Sequence, residues 1–146
     1  MILEGQVTLT VPARAEFIDI IRLNLYGFAT KMKFSFEEIE DMKVAVSEAC
    51  NNAVLHAYGA EDGIVEVTFV ASEEELVITV RDRGVSFSPS GIGEGKTLHG
   101  KTIDEIQSGG LGLYLMQALM DRVEVSNENG TAVTLAKRRA QSKETA

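Results

Sequence analysis

Ile39-Glu-Asp-Met-Lys-Val-Ala-Val-Ser-Glu48-Ala-Cys-Asn-Asn52-Ala-Val-Leu-His56 is the stretch on which the reading of this chain turns. Ile39, Met42, Val46, Ala49, Ala53 and Ala57 recur every three or four residues, the period of one buried helix face. Ser35 and Glu38 stand just ahead as a capping box, a hydroxyl and a carboxylate that satisfy free amides of the first turn. Glu48, Asn52 and His56, four apart, make one polar row on the helix. Ala45, Ala49, Ala53 and Ala57 lie beside it, small enough for the backbone to approach whatever the row contacts. The row has two readings. One is a solvated helix face. The other is a site in which an Asn carbonyl ligates a hard cation such as Mg²⁺, while a carboxylate one turn away takes a proton from an attacking hydroxyl. His56 reads as structural, a histidine packed near a helix end.

Working outward, Gln6 to Val11 alternates polar and apolar residues as a half-buried strand does, and Pro12 closes it. Phe17, Ile21, Leu25, Phe28 and Met32 then mark a first helix, with Asp19, Arg22 and Lys33 off its apolar stripe. Beyond Gly59 to Gly63, Val65, Val67 and Phe69 alternate, as do Leu76, Ile78 and Val80, which predicts an antiparallel hairpin with one face inward. From Gly84 to Ser108 all periodicity stops and glycines recur, so the segment reads as a long functional loop. Helical spacing resumes at Leu111, and two short strands flank Asn129-Gly130, a hairpin signal. The order β-α-α-β-β-loop-α-β-β predicts an α+β, two-layer α/β sandwich, a mostly antiparallel sheet with three helices on one face.

Two more clusters carry chemistry. Asp82-Arg-Gly84 lies where a strand runs out into the long loop. It is either a plain turn or an acceptor for an adenine amino group with a glycine that lets backbone approach the ring. Gly109-Gly-Leu-Gly112 opens the last helix, as a hinge or as a set of amides offered to phosphate at the positive end of the helix dipole.

Composition narrows the partners. With 14 Lys+Arg against 22 Asp+Glu the net charge is -8, which repels phosphate backbones and anionic lipid, so neither nucleic acid nor membrane is expected as a direct partner. Hydrophobic residues at 45% and charged residues at 25% are ordinary for a globular domain. The single cysteine, Cys50, permits no intrachain disulfide and fits a reducing compartment. No basic-then-apolar leader and no span-length apolar run appear, so the expected location is the cytoplasm. One domain is expected over residues 1–136, followed by a frayed polar tail from Lys137 to Ala146.

The order of these motifs resembles the Bergerat-fold (GHKL) ATPases: Glu48-Ala-Cys-Asn-Asn52-Ala-Val-Leu-His56 is similar to their N box, and Asp82-Arg-Gly84 and Gly110-Leu-Gly112 to the two glycine boxes that bracket an ATP lid. Ile20-Ile-Arg-Leu, Ile39 to Cys50 and Gly109-Gly-Leu-Gly-Leu-Tyr-Leu-Met narrow the resemblance to the anti-sigma serine kinases of that group. The resemblance implies the following roles. Asn52 would coordinate Mg²⁺ and Glu48 would be the general base toward a substrate serine. Asp82 would bind adenine with Gly84 beside it, and Gly110, Leu111 and Gly112 would bind the ATP phosphates. Arg22 corresponds to a position that touches protein partners. Those partners would be a stress-response sigma factor and a STAS-domain anti-anti-sigma factor, and the kinase would be a homodimer with a lid over about residues 84–108.

The chain departs from the family pattern at two places. Ser86 stands where the first glycine box ends in Gly. In the last strand Ala132 stands where a Thr is usual, and Thr131, one residue earlier, is expected to point to the other face. The competing functions are a non-catalytic, ATP-gated sigma-binding module and a detached histidine-kinase catalytic domain. Glu48 favours the kinase over the first. The second lacks an upstream helix with a phosphoacceptor His.

Overall fold

The structure, a computed structural model, describes residues 3–57, 63–83, 111–128 and 130–139, with the side chains of residues 56 and 57 left aside. Its strands are β1 (Gly5–Pro12), β2 (Ile64–Ala71), β3 (Glu75–Asp82), β4 (Arg122–Ser126) and β5 (Thr131–Arg138). They form one sheet in the order β1-β2-β3-β5-β4, every neighbouring pair antiparallel. The helices are α1 (Ile18–Lys31), α2 (Phe36–Asn52) and α3 (Leu111–Leu119). The expected α+β sandwich is therefore the architecture observed. Among the described residues no helix is long and apolar enough to cross a membrane.

Alternation in the hairpin decides the inner face. Val65, Val67, Phe69, Leu76, Ile78 and Val80 are all buried, while the residues between them are not. Burying side chains of this size stabilises by about 1.5–3 kcal/mol each. Ile21 and Leu25 of α1 and Met42 and Val46 of α2 cover that face. Phe28 of α1 stacks on Phe69 of β2 with ring centroids 5.3 Å apart and planes 11° from parallel.

The capping box forms as expected: Glu38 N donates to Ser35 Oγ at 3.1 Å, and Ser35 N donates to Glu38 Oε1 at 2.8 Å. Just before it, α1 ends in a six-to-one turn. Phe34 N donates to Ala29 O and Lys33 N to Thr30 O, which places Lys33 at φ 65. This is a left-handed position that glycine usually occupies.

Two boundaries differ from those expected. The second helix is α-helical only to Asn52, and Ala53–Ala57 forms a π-helical turn. The polar end of the chain also begins later than residue 137. β5 runs to Arg138, with Lys137 Nζ donating to Leu119 O at the end of α3 (2.7 Å) and Arg138 N to Asp121 Oδ2 (2.6 Å). Arg139 N donates to Glu74 O at 2.8 Å. Backbone pairing and a cation at a helix C-terminus hold residues 137–139 in place; the rest of the expected tail lies outside the described residues.

Candidate functional site

Packing of α3 along α2 builds the centre of the site. Glu48 and Asn52 lie one turn apart on α2, both half-buried. Gly112, buried in the first turn of α3, faces them. A Cβ on Gly112 would lie 2.9 Å from Glu48 Oε1, 3.7 Å from Asn52 Nδ2 and 3.8 Å from Asn52 Oδ1. Glu48 and Asn52 are thus not on a fully solvated face. They meet the start of a helix, where backbone amides lack intrahelical partners, and the small residue there leaves space between carboxylate, amide and helix end. Leu111, the first residue of α3, is exposed. Gly84, Gly110, Ser86 and the loop over 84–108 lie outside the described residues.

Asp82 ends β3 on the inner face and is 4% exposed. β3 lies against the π-helical turn that follows Asn52, so the strand and the helix row approach one another from two layers. Directly opposite Asp82 in the sheet stands Thr131, also buried. Opposed residues of antiparallel strands point to the same face, so Thr131 shares the face of Asp82 and it is Ala132 that is turned away. The expectation that Thr131 faces the other way is corrected by this register. Gly130, at φ +99, lets the β4–β5 turn approach Asp82: a Cβ there would collide with Asp82 O and lie 2.8 Å from Arg83 Cα. The sequence marks Gly130 only as a hairpin residue, and its close approach to the Asp82 backbone is visible only in the structure. The Gly130-Thr131 step beginning the last strand was the available signal.

Arg22 is neither free nor fully solvated. Its Nε donates to Ser47 Oγ of α2 at 2.7 Å, and Nη1 pairs with Asp19. Cys50, buried beneath, is no nucleophile: burial pushes its thiol up to about 12, and the nearby Arg22 guanidinium only partly opposes this. Among the described residues no three His, Cys, Asp or Glu converge as a metal cluster.

The model of the histidine kinase-like ATPase domain matches residues 11–137. Serine-protein kinase RsbW of Bacillus pumilus (strain SAFR-032) is 48% identical over 138 residues, which are 90% of this chain and 84% of the relative. Serine-protein kinase RsbW of Bacillus subtilis (strain 168) is 44% identical over 136 residues, with the same two shares of 90% and 84%. The chain belongs to the RsbW family of serine-protein kinases. Its ATPase domain and its kinase relatives together imply use of ATP.

A crystal structure of the RsbU and RsbW domains of a Mycobacterium tuberculosis protein superposes with a TM-score of 0.65 at 23% identity. It covers 92% of this chain, which spans about a third (32%) of that longer one, and the likeness speaks for the fold. For an RsbW-family chain the arrangement is chemically coherent. A carboxylate and an amide face a helix N-terminus, and a buried carboxylate lies one layer away at a strand end.

Proposed function

We propose that this chain is an anti-sigma factor and serine-protein kinase that holds a stress-response sigma factor and, with Mg²⁺ and ATP, phosphorylates a serine of a STAS-domain anti-anti-sigma antagonist. The observation that carries the reading is the convergence of Glu48 and Asn52 on Gly112. Phosphoryl transfer asks a protein mainly for positioning and charge neutralisation, and these residues supply both.

Each residue has one task. Asp82 accepts the N–H of the adenine amino group, and the shared face of Thr131 offers a hydroxyl beside it. The amides of the first turn of α3, with Gly112 leaving space, donate to phosphate oxygens. The oxygen donors suit a hard cation: Asn52 Oδ1 would hold Mg²⁺, which would supply charge neutralisation at the phosphate oxygens. Glu48 takes the proton of the acceptor serine. The serine oxygen then forms its bond to the γ-phosphorus as the bond to the ADP oxygen breaks. Arg22 serves partner recognition. A homodimer in the cytoplasm, where sigma factors and ATP meet, completes the proposal.

The test is incubation with radiolabelled ATP, Mg²⁺ and unphosphorylated STAS-domain proteins of the same genome. One of them should be labelled on serine. Sigma-factor capture with no labelling of any candidate would instead mark the chain as an ATP-gated binding module.

A further inference from the structure

β5 carries a lysine where its alternation calls for an apolar residue. Thr131, Val133 and Leu135 lie on the inner face of the sheet, and Lys137 continues that row, directly opposite the fully buried Leu76. A cation in such a place costs desolvation unless it is paired. Lys137 is half-buried, and its Nζ donates to the carbonyl oxygen of Leu119, the last residue of α3, at 2.7 Å. The last carbonyls of a helix lack intrahelical partners and carry its negative end, so the ammonium is placed where it satisfies both.

Two backbone contacts flank this bond. Asp121 N donates to Ala136 O at 2.9 Å, and Arg138 N donates to Asp121 Oδ2 at 2.6 Å. Met120 N donates to Met116 O at 3.0 Å, so helical bonding continues up to the joint. Residues 136 to 138 of β5 thus hold the C-terminal end of α3.

Elsewhere α3 is held lightly. Of its nine residues only Gly112 and Met116 are buried, and Leu111 and Tyr114 are largely exposed. Glycine has no side chain to lock, and methionine is unbranched and adaptable, so packing on α2 does little to fix the helix along its own axis. The joint with β5 does. From Leu119 back to Gly112 is about 10 Å of helix, and a shift at the joint passes along it to the Gly112 end. β5 begins at Thr131, across from Asp82, so one strand ties the adenine end of the proposed site to the helix of its phosphate end.

We propose that Lys137 is a positioning residue of the kinase. Together with Asp121 it sets where the first turn of α3 meets the nucleotide phosphates, acting through the helix and not by contact. The proposal rests on the reading of that turn as the phosphate site, and adds the part of the fold that places it.

Lys137→Met keeps the apolar stem and removes the charge and the donor. Asp121→Ala opens the same joint at an exposed hydrogen bond, and decides the matter should Lys137→Met fail to fold. Lys137→Arg retains a cation and a donor. The readout is the ratio of the Kd of adenosine to the Kd of Mg·ATP, measured by competition against a fluorescent ATP analogue, with thermal unfolding alongside. Lys137→Met and Asp121→Ala should lower this ratio about five- to tenfold, the effect of about one hydrogen bond. The Kd of adenosine should stay within about twofold of wild type, and Lys137→Arg should keep the wild-type ratio. A lysine that only stabilises the fold would lower Tm and leave the ratio alone. An unchanged ratio in the folded variants overturns the positioning role while the phosphate reading stands. A wild type that binds adenosine as tightly as Mg·ATP overturns the phosphate reading and the role of Lys137 with it.

Discussion

Gly112 sits so close to Glu48 that a methyl group on its α-carbon would come 2.9 Å from the Glu48 Oε1 oxygen. That oxygen is the far end of a flexible side chain, so the fold can absorb the methyl while the carboxylate cannot stay where it is. Gly112→Ala should therefore leave the melting temperature within a few degrees of wild type. Phosphorylation of the STAS-domain partner should fall at least tenfold. Full activity in this variant would show that the carboxylate position is not critical.

Glu48→Gln keeps size and hydrogen bonding but removes the basic lone pair. General-base catalysis is typically worth about 10²–10⁴ in rate, so single-turnover phosphorylation should slow by roughly that factor. Nucleotide binding and sigma-factor capture should persist, since neither abstracts a proton. Asn52→Ala should instead lose the Mg²⁺-dependent part of nucleotide affinity and, with it, both activities. A near wild-type rate in Glu48→Gln would remove the base assignment.

Asp82→Asn presents an NH₂ group where an acceptor of the adenine N–H is required. The thermal stabilisation given by saturating ATP, the mark of a ligand that binds only the native state, should disappear, and its survival would end the adenine assignment. Gly130→Ala should act differently, because its Cβ meets the Asp82 and Arg83 backbone at φ +99. Backbone cannot yield as a side chain does, so a loss of about 2 kcal/mol or more is expected in denaturant unfolding.

Lys33 occupies the left-handed position of the α1–α2 turn at φ 65. A side chain there costs about 1–2 kcal/mol, and glycine gives back part of this as unfolded-state entropy. Lys33→Gly should be stabilising by about 0.5–1 kcal/mol, read as a rise of about 1–4 °C in Tm. A fall in Tm would mean that Lys33 makes a compensating contact.

Cys50 gives a pH dependence with a definite sign. Its thiol is pushed from 9.0 up to about 12 in the folded chain, chiefly by burial. The unfolded chain thus loses this proton first as pH rises, and the folded state binds more protons. The contribution is fully present below about pH 9 and is lost as pH climbs toward about 12. Urea unfolding should show stability declining with pH in that window and a shallower decline in Cys50→Ala. At about pH 8 the native thiol should resist alkylation and react only on unfolding; equal rates in native and unfolded protein would contradict its burial.

Much of this protein is legible along the chain because helices and strands repeat locally. Three- and four-residue spacing marked the inner faces of α1 and α2, alternation marked β2 and β3, and Ser35 with Glu38 marked a helix start that formed as read. The pairing of Glu48 with Asn52 is equally local, being one turn of one helix. Periodicity carries no information about what stands opposite. Only the packing of α3 on α2 decided that Gly112 faces both residues, and only the β3–β5 register set Thr131, not position 132, across from Asp82. The π-helical turn after Asn52, the anchoring of Arg22 by Ser47 and the pairing of β5 through Arg138 have the same origin. Each joins atoms distant along the chain or depends on the elements packed around it. The chain's own sequence therefore determined which residues are chemically able to act, through side-chain type and local spacing. Tertiary structure decided which of them meet, because burial and strand register are settled between elements and not within them.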